Sequence, residues 1–366
     1  MSLECIVCSS TQCTLLIKQG GYDIFRCRRC RLIFAHPLPD AGQLGAFYQN
    51  FGHNREEADC PDEQRLIVEG AMREKIRLAR EIAVSPIKTF LDIGAGCGYY
   101  LHGAKKAGLD VTGVELDASA VMFAREHLGL EIKEGGFLEA ALEDNYFDFV
   151  HLRNSIEHFT DPGECLLKIN HIMKKGGVLI LETPNSQSPE HLVRRLFLDA
   201  VKTLRRNMPG RAAWWYWKTA LMRPWAYVDP PRHLYGFNKH NIDLLLATYG
   251  FKSYDIMAKP LGDPVYHPVS PGAQRQRDAE MRAAEARLFS SSRLRYCLYV
   301  FGWKPVAFIL QKIIARAGMG NNLVVYAVKE KTVARKCAAP TEELITGRRQ
   351  DMSTSETKSA LIQCTA

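Results

Sequence analysis

No run in this 366-residue chain approaches the ~18 consecutive apolar residues of a spanning helix, so an integral membrane protein of the helical kind is excluded. The opening residues lack the basic start and apolar stretch of a secretory signal; Glu4 and a cysteine pair stand there instead, and the expected address is cytoplasmic. Acidic excess is also missing. The formal charge is +8, with basic residues gathered near 26–31, 194–211 and 275–295. Such clusters suit an anionic substrate, a membrane surface or nucleic acid, although each taken alone reads first as a solvated face. What remains is ordinary globular composition on a chain long enough for two folded units and terminal extras.

Eleven cysteines would suggest disulfides in a small secreted protein, but four of them form two close pairs, and a reducing compartment favours metal. Cys5-Ile-Val-Cys8 and Cys27-Arg-Arg-Cys30 are knuckles separated by 18 residues. A two-residue spacer lets both thiolates of a knuckle reach one ion, and two knuckles close a tetrahedron. The pattern predicts a structural Zn2+ site in a zinc-ribbon-like module over residues 1–50, with short strands at 15–18 and 22–25 around Gly20-Gly21. A redox dithiol is the competing reading, and Cys13 and Cys60 are left unassigned.

A helical linker is expected within 51–87, over 63–84. Strands at 88–93, 110–115, 146–152 and 178–182 then alternate with helices at 99–106, 118–127 and from Asp161-Pro162 to the Lys174-Lys175-Gly176-Gly177 stop, which predicts a parallel α/β sheet. Asp92-Ile-Gly94-Ala-Gly96-Cys-Gly98 follows the first strand, and Glu115 ends the second. Bare backbone lets amides approach a ligand, and a carboxylate at that strand end can accept from two ribose hydroxyls. The spacing is not the dinucleotide G-x-G-x-x-G, so S-adenosylmethionine, which has no phosphate, is the better ligand.

The stretch Phe90-Leu-Asp-Ile-Gly-Ala-Gly-Cys-Gly-Tyr-Tyr-Leu101 resembles motif I of the class I S-adenosylmethionine-dependent methyltransferases. Val111-Thr-Gly-Val-Glu-Leu-Asp117 is similar to the ribose-holding segment, and Gly136-Phe-Leu-Glu139 resembles the loop beside adenine. Phe147-Asp-Phe-Val150, Ile156-Glu-His158, Asp161-Pro162, Gly176-Gly177, Thr183-Pro-Asn185, Pro230-Pro-Arg-His-Leu234, Phe237 and Tyr249-Gly-Phe251 follow in family order. The cysteine module resembles one that often precedes this domain. The resemblance implies a doubly wound, Rossmann-like, mostly parallel seven-stranded sheet with a helical lid insertion. It also implies that Asp92, Gly94, Gly96 and Gly98 line the methionine part of the cofactor, that Glu115 takes the ribose, that Phe137 and Leu138 flank adenine, and that Asn154 closes the pocket. Phe137 departs from the small polar residue common in relatives, which leaves stacking or backbone contact there.

The resulting organisation is a methyltransferase domain over 88–258 with its lid at 186–229, a helical extension and last strand over 259–330, and a disordered tail over 331–366. Methyl transfer needs alignment and, for a hydroxyl acceptor, a base. His158 and His233 are the candidates, with Glu157 orienting His158 or pointing into the core; loop ordering is the plainer role for the Glu-His pair. Arg194-Arg195, Arg205-Arg206, Trp214-Trp-Tyr-Trp217 and Trp225 in the lid suit sugars, bases and anionic groups, or simply pack the lid down. A helix over 294–317, interrupted by Pro305, could cover the sheet, join a dimer or make peripheral membrane contact. Oligomeric state is not legible. The favoured acceptor is a small molecule or glycan. RNA gripped by the module is the weaker alternative, because Thr183-Pro-Asn185 is not the N-P-P-Y loop of base-amine enzymes, and a non-catalytic scaffold is the third.

Overall fold

The structure is a computed structural model that describes residues 3–40, 42–44, 61–188, 228–259 and 319–334, with isolated residues 47, 265, 306, 309 and 313. The lid's arginine and tryptophan clusters at 194–225 lie outside the described residues, as do most of the 294–317 helix and the tail beyond Ala334. The described residues up to Val333 belong to one compact unit.

Strands β1 (Cys13–Gln19), β2 (Tyr22–Cys27) and β3 (Ile33–His36) come first, followed by α1 (Pro61–Ile82). The alternating part then reads β4 (Thr89–Ile93), α2 (Tyr99–Lys106), β5 (Asp110–Glu115), α3 (Ala118–Leu128), β6 (Ile132–Glu134), β7 (Phe147–Arg153), a short 3-10 turn (Ile156–His158), α4 (Pro162–Ile172) and β8 (Met173–Pro184). After residues 189–227 come β9 (Tyr235–Gly236), α5 (Lys239–Thr248), β10 (Phe251–Lys259) and β11 (Asn322–Lys329).

The large sheet has the order β10-β11-β8-β7-β4-β5-β6, seven strands as expected. The pairs β4–β5, β4–β7, β5–β6 and β7–β8 are parallel, and β11 enters antiparallel between β8 and β10. Strands buried on both sides read as continuous apolar runs, as β8 does over residues 178–181. Alternate residues go to opposite layers. Phe90, Phe149, Val178, Ile180, Val324 and Tyr326 pack with Met72, Ile76, Leu101 and Ala104 of α1 and α2. Leu91, Ile93, Val150, Leu152, Leu179, Leu181, Leu323 and Val325 pack with Leu166 and Ile169 of α4 and Leu245 of α5.

Local signals explain most boundaries. Asp117 caps α3 by accepting from Ser119 N, and Asp161 caps α4 by accepting from Gly163 N at 2.8 Å and Glu164 N at 3.1 Å, with Pro162 in the first turn. The end of α4 differs from expectation: the helix stops at Ile172, and the lysine-glycine segment already belongs to β8. Gly177 allows this, since a Cβ there would sit 2.9 Å from Lys174 O and 3.0 Å from Asp148 O. Helix α1 buries Val68, Ala71, Met72, Ile76 and Ala79 along one stripe, and Gly103 of α2 admits it closely: a Cβ would lie 2.9 Å from Met72 Cβ.

The small sheet has the order β1-β2-β3-β9, so its fourth strand comes from about 200 residues further along the chain. Ile33 faces Gly236 and Phe34 faces Tyr235. Cys5, Cys27, Cys30, Leu32 and Phe34 share one core with Leu91, Leu152, Leu181 and Tyr235 of the large domain.

Candidate active site

Strand order reverses at β4, which has β5 on one side and β7 on the other, and ligands of such sheets bind at the carboxyl ends there. The glycine turn stands at that point. Gly94, Gly96 and Gly98 have φ of 70°, 55° and 80°, a region that suits glycine. Gly94 is held to that choice twice over, because a Cβ would lie 2.6 Å from Ser155 Oγ. Glu115 turns toward the loop: its Oε2 accepts from Gly96 N at 2.7 Å and its Oε1 from Asp117 N at 2.9 Å. Burial pushes its carboxyl up, and the two amides draw it back.

Asp92 is buried on the α1 layer, where its Oδ1 accepts from His151 Nδ1 at 2.9 Å. His151 Nε2 lies 3.2 Å from Glu182 Oε1 and 3.1 Å from Lys75 Nζ, and Lys75 also donates to Glu182 Oε1. Lys75, His151 and Glu182 are fully buried. Burial alone would favour the neutral acid at Glu182, but Lys75 and His151 outweigh it and hold the carboxyl well below the usual range; burial lowers Lys75 against the pull of Glu182. Arg153 Nε stands 3.8 Å from Glu182 Oε2, and both Lys75 and Arg153 lie over the Tyr100 ring, 4.6 Å and 5.2 Å from its centroid.

None of Lys75, His151 and Glu182 is a site residue in the sequence reading. A signal existed. His151 occupies the same alternating phase as Phe149 in an apolar strand, and Lys75 interrupts the apolar stripe of α1 between Met72 and Ile76.

Of the other cofactor candidates, Asn154 has a φ of 45°, donates its N–H to Glu182 O at 2.8 Å, and buries an Oδ1 with no partner among the described residues. Phe137 is buried in the core, edge-on to Phe159 at 6.3 Å with Lys168 Nζ 5.1 Å from its centroid, and Leu138 O accepts from Lys168 at 2.8 Å. The bare turn, the Glu115 carboxylate and the orphaned Asn154 oxygen fit S-adenosylmethionine, whose amino group and ribose need acceptors.

The 3-10 turn and the segment before β9 bring the three acid–base candidates together. One oxygen from Glu157 and one nitrogen each from His158 and His233 lie within 4.8 Å of one another. The two imidazole rings meet edge-on with centroids 4.8 Å apart. His158 Nε2 is 3.9 Å from Glu157 Oε1, beyond hydrogen-bonding distance, while Glu157 Oε2 accepts from Thr183 Oγ1 at 3.0 Å. Glu157 is fully buried, and that burial raises its carboxyl to about 7, with Arg232 and Arg153 opposing the rise.

At the other end of the 228–238 segment, all four sulfurs of Cys5, Cys8, Cys27 and Cys30 lie within 4.8 Å of one another. The Cys5–Cys30 and Cys8–Cys27 pairs are each 3.5 Å apart. Thiolates about 2.3 Å from one tetrahedral zinc would be about 3.8 Å from each other, so this donor set fits that ion. The hydrogen bond with Cys30 lowers the Cys5 thiol to about 5, and the same bond pushes Cys30 up.

The profile of the family described as "Methyltransferase domain" matches residues 53–255. The chain belongs to that family. A ubiquinone biosynthesis O-methyltransferase of Alkalilimnicola ehrlichii is 29% identical over 112 residues, covering 29% of this chain and 45% of the relative. A glycine/sarcosine/dimethylglycine N-methyltransferase of Actinopolyspora halophila is 28% identical over 152 residues, covering 38% of this chain and 27% of the relative. The chain therefore spans about half or less of the length of these curated relatives. The crystal structure of a SAM dependent methyltransferase from Archaeoglobus fulgidus superposes with a TM-score of 0.42 at 17% identity, over 72% of this chain and 94% of that one. Among the described residues no helix is long and apolar enough to cross a membrane.

Proposed function

We propose that the chain transfers the methyl group of S-adenosylmethionine to a hydroxyl of a small-molecule or glycan acceptor. The observation that carries this reading is the convergence of Glu157, His158 and His233, with the first two on the turn that follows Asn154 and Ser155, where Ser155 Oγ sits against Gly94 of the glycine turn. When bound, S-adenosylmethionine supplies a methyl group on a sulfonium that is already a good leaving group. Asp92 and the Gly94, Gly96 and Gly98 backbone would hold its methionine end, Glu115 would accept from the ribose, Phe137 and Leu138 would border adenine, and Asn154 would close the pocket with its Oδ1 free to accept. His158 or His233 takes the acceptor proton as the oxygen attacks. Glu157 stands 3.9 Å from His158 as a buried acid, and once ionised it would stabilise the imidazolium formed.

The hydroxyl is favoured over an amine because two imidazoles meet there: a hydroxyl must give up its proton to a base as it attacks, whereas an amine attacks as the free base that exchange with water supplies. The O-methyltransferase named among the relatives supports the first choice and the N-methyltransferase the second. The four cysteines hold structural Zn2+, since a closed thiolate set leaves no position for substrate. The arginines and tryptophans of the lid serve acceptor choice.

Purified full-length chain is incubated with methyl-labelled S-adenosylmethionine and extracts of cell metabolites and glycans, and labelled products are identified by mass spectrometry. A labelled methyl ether supports the reading; label on nitrogen or carbon alone overturns the hydroxyl. Turnover on RNA that collapses with added salt would replace the acceptor class altogether.

A further inference from the structure

The cysteine module is joined to the acceptor side of the site through one short segment. Strand β3 pairs with β9, Ile33 opposite Gly236 and Phe34 opposite Tyr235, and Ala35 N donates to Leu234 O at 2.9 Å. The ligand loop takes part directly. Cys30 O accepts from both Asn238 Nδ2 and Asn241 Nδ2 at 3.4 Å, and these two buried asparagines form the capping box that starts α5. On the module's outer edge, Gln19 Nε2 donates to Asp229 Oδ1 at 3.3 Å.

The opposite side of the segment rests on the turn that carries Glu157 and His158. Leu234 N donates to Glu157 O at 2.9 Å, and Tyr235 Oη donates to Thr160 O at 2.8 Å. His233 is thus the residue before a backbone clamped between the module and the Glu157 turn. Its ring meets that of His158 with centroids 4.8 Å apart.

We infer that the four-cysteine module is a positioning element for His233: metal ligation fixes Cys30 and β3, these fix β9, and β9 holds His233 against His158. The inference rests on the reading of Glu157, His158 and His233 as the acceptor side. It goes beyond a role in folding, because it assigns to the metal a specific effect on two imidazoles far along the chain. A module that served only global stability would move every part of the protein alike. A positioning module moves the histidine pair while the glycine turn and Glu115, held by β4 and β5, stay as they are.

The test uses full-length protein loaded with zinc and the same protein with cadmium exchanged for it. Cadmium is a larger ion that keeps all four sulfurs bound, so the perturbation does not depend on a stripped chain staying folded. Imidazole resonances of His158 and His233, assigned from His158→Gln and His233→Gln variants, are followed by NMR with the distant His127 as control, and S-adenosylmethionine affinity by calorimetry. Expected are shifted resonances for His158 and His233, an unmoved His127, and cofactor affinity within about twofold. Unmoved resonances for the pair, a tenfold loss of cofactor affinity in step with their shift, or a chain that takes up neither metal each overturns the inference. Failure of the acceptor-side reading is distinguishable: His158→Ala and His233→Ala would retain full turnover while the metal-dependent shifts persist.

Discussion

Gly96 and Glu115, 19 residues apart, are joined by a 2.7 Å hydrogen bond from the Gly96 backbone N–H to the Glu115 carboxylate. The bond ties the bare-backbone turn after β4 to the end of β5, so the two halves of the nucleoside cradle are set before ligand arrives. Charge-assisted bonds of this kind contribute about 1.5–3 kcal/mol each. Glu115→Ala is expected to weaken S-adenosylmethionine binding by about ten- to a hundredfold in calorimetric titration, with the far-ultraviolet spectrum unchanged. Affinity equal to wild type would remove Glu115 from the cradle.

The histidine pair gives a second prediction. Of His158→Ala and His233→Ala, the one that removes the base should lower turnover by about a hundredfold or more, while cofactor affinity stays within about twofold in both. Steady-state rates with calorimetry on the same preparations separate the two quantities. A variant with full turnover rules its histidine out of proton transfer.

Glu157 gives a pH dependence with a definite sign. Its carboxyl is raised by burial to about 7, so the folded chain holds that proton more tightly than the unfolded one, whose value lies near 4.5. The resulting contribution to stability is present at low pH and is lost as pH rises through about 7, on the order of 3 kcal/mol in all. Glu157→Gln is permanently neutral and keeps an acceptor for Thr183 Oγ1. Relative to wild type, the variant should gain stability between pH 5 and pH 8 in urea titrations. An equal difference at both values would show that Glu157 does not ionise in that window.

The buried Lys75–Glu182 pair gives a fourth. Removing one partner leaves an uncompensated charge in the core, which typically costs 3–5 kcal/mol. Lys75→Met should lose about that much in urea denaturation, and Lys75→Met with Glu182→Gln should recover part of it. Additive losses in the double variant would mean that the two side chains do not interact.

Much of the large domain is legible from residue order because each signal there is local. The β4 strand, the glycine turn and the aspartate caps at 117 and 161 all act within a few residues of where they stand. The buried quartet of Asp92, His151, Glu182 and Lys75 is harder, because its members come from three strands and a helix and meet only through sheet register. Strand β9 is two residues long and carries no alternation to read; its place is set by β3, some 200 positions earlier. The sequence reading extends the helix beginning at Pro162 to the lysine-glycine stop, whereas the chain turns at Ile172, where Met173 can pair with Phe147 of β7.

The borrowed strand limits how this protein can be dissected or recombined. An isolated N-terminal piece would end in three strands with the open rim of β3 unprotected, an invitation to pair with a neighbouring molecule. Grafting the piece onto another methyltransferase would succeed only if residues 228–241 travelled with it. Heredity at this locus should therefore treat two stretches, separated by β4 to β8 of the large sheet, as a single exchangeable part.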